Sequence, residues 1–125
     1  MKTLKELEII KRSVKDKDTP FSMFGIECDY GWNTIIVEAL NKMEELDDKD
    51  LYITQIKKKF GELRIYTSSY KESIEQQLEQ IIEEAEIKAS ETCEVCGAKG
   101  TLRTKGLISV RCDNCFRFER KRTYN

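Results

Sequence analysis

An α+β fold, three helices with a small antiparallel sheet followed by a C-terminal cysteine-based ribbon, is the architecture predicted for this 125-residue chain. Three observations predict it. Apolar residues recur at helical spacing in three segments, two segments alternate on either side of Phe60-Gly61, and two Cys-x-x-Cys pairs lie near the C-terminus. Hydrophobic residues make up 39% and charged residues 36%, which suits a modest core under a charged surface rather than a disordered chain.

Leu4, Leu7, Ile10 and Val14 place a first helix over about 4–15, with Thr3-Leu4-Lys5-Glu6 as a capping box. Asp16 to Thr19 and the single proline, Pro20, then break it. Phe21 to Trp32 is poor in charge and holds Phe21, Phe24, Tyr30 and the only tryptophan; the alternation of Phe24, Ile26 and Cys28 predicts a short strand entering a turn at Gly31. Ile36, Leu40, Met43 and Leu46 define a second helix over about 33–46. Leu51–Lys57 and Glu62–Thr67 are expected as two strands with Phe60-Gly61 at the bend.

Ile74, Leu78, Ile81, Ala85 and Ala89 mark one narrow apolar stripe on a third helix, with Ser69-Tyr70-Lys71-Glu72 as a second capping box. About 21 residues of helix span roughly 31 Å. Its outer surface is acidic, and Glu79, Glu83 and Glu86 are the candidate face for a basic partner. The stripe reads as one buried edge, and alternatively as the seam of a homodimer.

Cys93-Glu94-Val95-Cys96-Gly97 and Cys112-Asp113-Asn114-Cys115 are the strongest chemical signal. Two such knuckles at this separation match a zinc ribbon with Cys93, Cys96, Cys112 and Cys115 as thiolate ligands of one structural Zn²⁺. Lys105-Gly106 lies midway, at the bend of an expected hairpin. Two disulfides and an iron–sulfur centre are the other uses of the same four sulfurs. Too few large apolar residues occur here to hold a fold without metal, so chelation is expected to unfold 92–118 and spare the helices. The fifth cysteine, Cys28, reads as a buried apolar thiol.

The chain has no histidine, which removes imidazole metal ligands and the usual histidine-based nucleophile pairs. Its net charge of -1 hides a polarity: residues 97–125 hold eight basic and two acidic side chains, so +6, and residues 1–96 hold 14 basic and 21 acidic, so -7. Four thiolates and one Zn²⁺ lower the formal +5 of residues 92–125 to about +3. The domain reading is an α+β unit at 1–90 with the long acidic helix, the ribbon at 92–118 and a basic tail at 119–125. Arg111, Phe116, Arg117, Arg120, Lys121 and Arg122, with Phe118 and Tyr124 interleaved, are candidate nucleic-acid contacts. Glu27, Asp29, Trp32 and Arg64 are candidates for a small-ligand or partner contact; core packing by Trp32 and Phe24 is the plainer reading. No phosphate loop or electrophile-stabilising motif accompanies them, which leans away from an enzyme.

Three stretches, Phe24-Gly25-Ile26-Glu27-Cys28 through Gly31-Trp32, Lys59 to Tyr66, and the two cysteine knuckles, together resemble a family of small phage and bacterial proteins. The likeness covers about residues 21–116; where the family has Gly-Asp before Gly-Trp, this chain has Asp29-Tyr30. It implies a phage or mobile-element origin and a role in the contest between phage and host. The expected partner is a host or phage protein, with nucleic acid as the alternative, in the cytoplasm of a bacterial cell. No membrane span is expected, because no apolar run approaches the ~20 residues needed.

Overall fold

The computed structural model describes residues 1–117. The N-terminal segment is a 3₁₀ turn, Leu4–Glu6, followed by helix α1, Glu8–Val14, rather than one continuous helix. Two carboxylates explain the break. Glu6 folds back to accept both the backbone N–H (3.0 Å) and the hydroxyl (2.8 Å) of Thr3, while Glu44, distant in sequence, accepts the N–H groups of Glu8 and Ile9 at 2.7 and 2.9 Å. Helix α1 is thus capped by a tertiary contact that no local pattern announces.

Asp16 takes a left-handed φ of 55° and ends that region. Pro20 then starts a helix, α2 (Pro20–Phe24), instead of merely breaking one, because its fixed φ suits a first helical position and Thr19 Oγ1 accepts from Ser22 N–H at 3.0 Å. Phe24 therefore ends a helix and is 67% exposed, outside the core and outside the strand in which it was expected. Strand β1 is only Ile26–Glu27. A 3₁₀ turn, Tyr30–Trp32, leads into α3, Asn33–Glu44, which buries Ile36, Ala39, Leu40 and Met43.

Strands β2 (Tyr52–Lys59) and β3 (Glu62–Ser68) form the expected antiparallel hairpin, and β1 adds to β2 in parallel, so this sheet is mixed. Ile26, Ile56 and Ile65 lie side by side across it and face the core. Side chains alternate along a strand, so Lys58 shares that inner face, while Glu27, Lys57 and Arg64 form a row on the outer one. The two-residue turn is Phe60-Gly61, with φ of 52° and 78°. Both central residues of such a turn need positive φ, which costs a bulky L-residue about 1–2 kcal/mol.

The second capping box does not form. Ser69 is left-handed (φ 62°), a 3₁₀ turn covers Glu72–Ile74, and helix α4 runs Glu75–Ser90. The Lys71 N–H goes instead to the buried Asp48 carboxylate at 2.7 Å. Ile74, Leu78, Ala85 and Ala89 are buried and Ile81 half-buried, with α4 lying against α3 and β3. The stripe that suggested a dimer seam is filled by the chain's own core. Helices α1 and α2 pack on β2. The ribbon hairpin follows as β4 (Thr101–Arg103) and β5 (Ser109–Arg111), antiparallel, with Gly106 left-handed in its bend.

Candidate metal centre and its anchorage

The two knuckles converge. The sulfurs of Cys93, Cys96, Cys112 and Cys115 all lie within 4.8 Å of one another, and Cys96 Sγ is 3.7 Å from Cys112 Sγ. A tetrahedral ion with metal–sulfur bonds of about 2.3 Å separates its sulfurs by roughly 3.8 Å, so the set fits one four-sulfur ion. A disulfide needs about 2.05 Å, and all five cysteines are free thiols in this arrangement.

Local backbone geometry makes the cradle. Gly97, with φ 83°, turns the chain so that its N–H meets Cys93 O at 2.9 Å, and Cys115 N–H points at Cys112 Sγ at 3.4 Å. Burial opposes ionisation of Cys93, but the N–H groups of Cys96, Cys112 and Val95 together bring its thiol down to about 6. Burial and the three neighbouring thiols push Cys115 up to about 12. Thiolates this close repel each other, so full ionisation of the set calls for a cation among them. With four sulfurs supplied by the protein, a tetrahedral ion has no vacant position for water or substrate.

The ribbon is tied to the preceding domain through Gly31, Trp32, Lys58 and Gly61. Trp32 is fully buried, and its indole N–H donates to Thr92 O at 2.8 Å. Gly31 N–H donates to Glu94 O at 2.9 Å, and a Cβ on Gly31 would lie 2.1 Å from Cys93 O, so only glycine fits. Glu94, inside the first knuckle, is buried: one carboxylate oxygen accepts Val110 N–H at 2.8 Å and the other meets Lys58 Nζ at 2.5 Å. Val110 itself belongs to the main core. A Cβ on Gly61 would touch the side chains of Leu102 and Ile108 at 3.0 and 3.1 Å.

These contacts settle where the other candidate residues stand. Trp32 offers no indole face to a ligand. Glu27 is exposed and accepts from Gln55 at 3.1 Å, Asp29 is exposed, and Arg64 meets Glu62 at 2.6 Å and Glu86 at 3.7 Å. Glu27 and Arg64 share the outer sheet face two strands apart, with Lys57 between them, and Trp32 lies in the core. Cys28 is half-buried; burial first, then the charges of Asp29 and Glu94, push its thiol up to about 11, far from a nucleophile's range.

On α4, Glu79 and Glu83 are exposed, whereas Glu86 is half-buried, its carboxyl raised by burial despite the opposing Arg64 charge. In the ribbon, Arg103 donates twice to Arg111 O, binds Asp113 at 2.8 Å and lies 4.6 Å over the Phe116 ring. Phe116 is thus already stacked, Arg111 donates to Ser109 Oγ at 3.2 Å, and Arg117 is exposed. Arg120, Lys121 and Arg122, with Phe118 and Tyr124, lie outside the described residues.

Glu94 and Lys58 escaped sequence reasoning because a buried acid paired with a partly exposed lysine has no periodic signature; an acid between two ligand cysteines was the one available hint. Among the described residues no helix is long and apolar enough to cross a membrane. Comparison of the chain with protein-family models, with curated proteins and with solved structures finds no match.

Proposed function

We propose that the chain is a non-enzymatic, zinc-stabilised binding protein of phage type that acts as an adaptor or inhibitor on a host macromolecule. The observation that carries this reading is the commitment of Trp32, Gly31, Glu94 and Lys58 to anchoring the four-thiolate ribbon. Of the four small-ligand candidates Trp32 serves the scaffold, Glu27 and Asp29 stand exposed, and Arg64 is ion-paired with Glu62 and Glu86. Four thiolates without histidine favour Zn²⁺ among the common ions, and a closed site makes its role structural. The resemblance of the F-G-I-E-C-x-x-G-W segment and the knuckles to phage proteins supports the biological setting.

The contact assigned to a basic partner is the outer face of α4 around Glu79 and Glu83, both exposed and, among the described residues, without a cationic partner. Nucleic-acid binding by the ribbon is the second reading; the net positive charge of 97–125 favours it, and the internal use of Arg103 and Phe116 weakens it.

Native mass spectrometry with metal analysis is expected to return one zinc per chain. Another metal, or none, overturns the zinc assignment. The zinc-loaded chain, immobilised against lysates of a bacterial host with and without phage infection, is expected to retain one macromolecule that Glu79→Lys with Glu83→Lys releases. Retention that survives the charge reversal sinks the acidic-face reading.

A further inference from the structure

The β2–β3 turn lies against the flank of the β4–β5 hairpin. The contact of Gly61 with Leu102 and Ile108 sets the β2–β3 turn directly beside the β4–β5 hairpin. Around that junction Phe60 is 71% exposed, Leu107 83%, Leu102 55% and Ile108 38%. Lys59 precedes Phe60 and Lys105 lies in the bend before Leu107, both exposed, and among the described residues no ion pair joins either to a carboxylate. Scattered exposed hydrophobics are ordinary, but a turn and an adjoining hairpin that both present them are not.

Phe60 is the telling residue. It occupies a left-handed position, φ 52°, in a two-residue turn where asparagine or glycine is the unstrained choice. The ring is mostly in water, so burial does not compensate the strain. A bulky side chain kept in a disfavoured conformation and left exposed points to a contact outside the fold.

We propose that the β2–β3 turn and the adjoining β4–β5 hairpin form a docking surface for an acidic protein segment carrying apolar anchors. Phe60, Leu102, Leu107 and Ile108 supply the apolar seat, and Lys59 and Lys105 supply the complementary charge. Three of the four apolar side chains are aliphatic and offer no stacking plane, and two lysines do not make a track for a phosphate backbone, so the surface suits protein better than single-stranded nucleic acid. It shares no residue with the acidic face of α4, and its test does not depend on that face.

The zinc-loaded chain is panned against a random dodecapeptide display library. The enriched peptides are then measured by fluorescence anisotropy on the wild type, on Phe60→Asn and on Lys59→Glu with Lys105→Glu, beside a labelled oligothymidylate. The expected peptides carry Asp or Glu around Leu, Ile, Phe or Trp, and each variant weakens them by about tenfold or more. Phe60→Asn is expected to melt at or above the wild-type temperature, which separates lost contact from lost packing; a structural role for the ring predicts a lower midpoint. Three results overturn the proposal: no enriched peptide, enriched peptides that bind the variants as tightly as the wild type, or salt-sensitive oligothymidylate binding that depends on Phe60.

Discussion

The indole N–H of Trp32 donates to the carbonyl of Thr92 at 2.8 Å, joining residues sixty positions apart and tying the entry to the ribbon to the core. The only tryptophan of the chain thus lies at the joint between the thiolate cluster and the helices, buried on the domain side of it.

Metal removal is therefore expected to reach beyond the ribbon. Chelation should shift Trp32 emission to the red and raise hydrogen exchange at 92–117, because structural zinc contributes on the order of 10 kcal/mol to such folds. Exchange in α3 and α4 should rise as well near Trp32 and Ala89, both part of the shared core. Unchanged emission after complete loss of metal would contradict the coupling.

Gly31→Ala tests the joint directly. A Cβ 2.1 Å from a backbone oxygen cannot be relieved by a rotamer change, so about 3 kcal/mol or more of stability should be lost, with weaker metal retention. Gly25→Ala is the control: its φ of 68° is strained but nothing lies within 4 Å, and about 1 kcal/mol is expected. Urea titrations of the two variants side by side distinguish clash from strain.

Glu94 is fully buried and Lys58 only partly exposed, so losing the lysine leaves an unpaired buried carboxylate, whereas losing the glutamate leaves a lysine that can reach water. Lys58→Ala, which orphans the buried carboxylate, and Glu94→Ala, which orphans the Val110 N–H, are each expected to lose about 3 kcal/mol. The double variant should lose less than the sum, and a strictly additive cycle would show that the two groups do not interact.

Asp48 gives the fold an acid-sensitive support. The Lys71 N–H, and after it the Asp50 N–H, hold its carboxyl below the ordinary 3.8 in spite of burial. A folded value below the unfolded one means stabilisation that is complete above the unfolded value and fades as the pH falls through the folded one. The stability gap between wild type and Asp48→Asn should accordingly be full at neutral pH and close only in acid below 3.8. A gap that persists there would assign the effect to packing.

Phe60→Gly should raise stability by about 1 kcal/mol, since glycine takes the left-handed turn conformation without the steric cost. A thermal melt that falls instead would mean that the ring packs against the fold.

Much of the architecture is legible in local pattern. The stripe from Ile74 to Ala89, the hairpin around Phe60-Gly61, the second helix and the four cysteines each depend on neighbours within a turn or a strand, and each stands in the fold where the pattern put it. Two of the three misplacements share a cause. Helix α1 begins where Glu44 caps it, the expected cap at Ser69 is replaced by Asp48, and Pro20 opens a helix because Thr19 can cap it. Two of those caps come from distant chain, and local propensity cannot weigh a partner it does not contain.

The sequence by itself determined the second and third helices, the Phe60-Gly61 hairpin and the chemistry of the thiolate set, because periodicity and ligand spacing are local properties. Only the tertiary structure decided that Gly31, Trp32, Lys58 and Glu94 bind the ribbon to the core. Close backbone approach and a buried ion pair exist only between segments that folding brings together, and they turn what reads as a ligand-like motif into a joint.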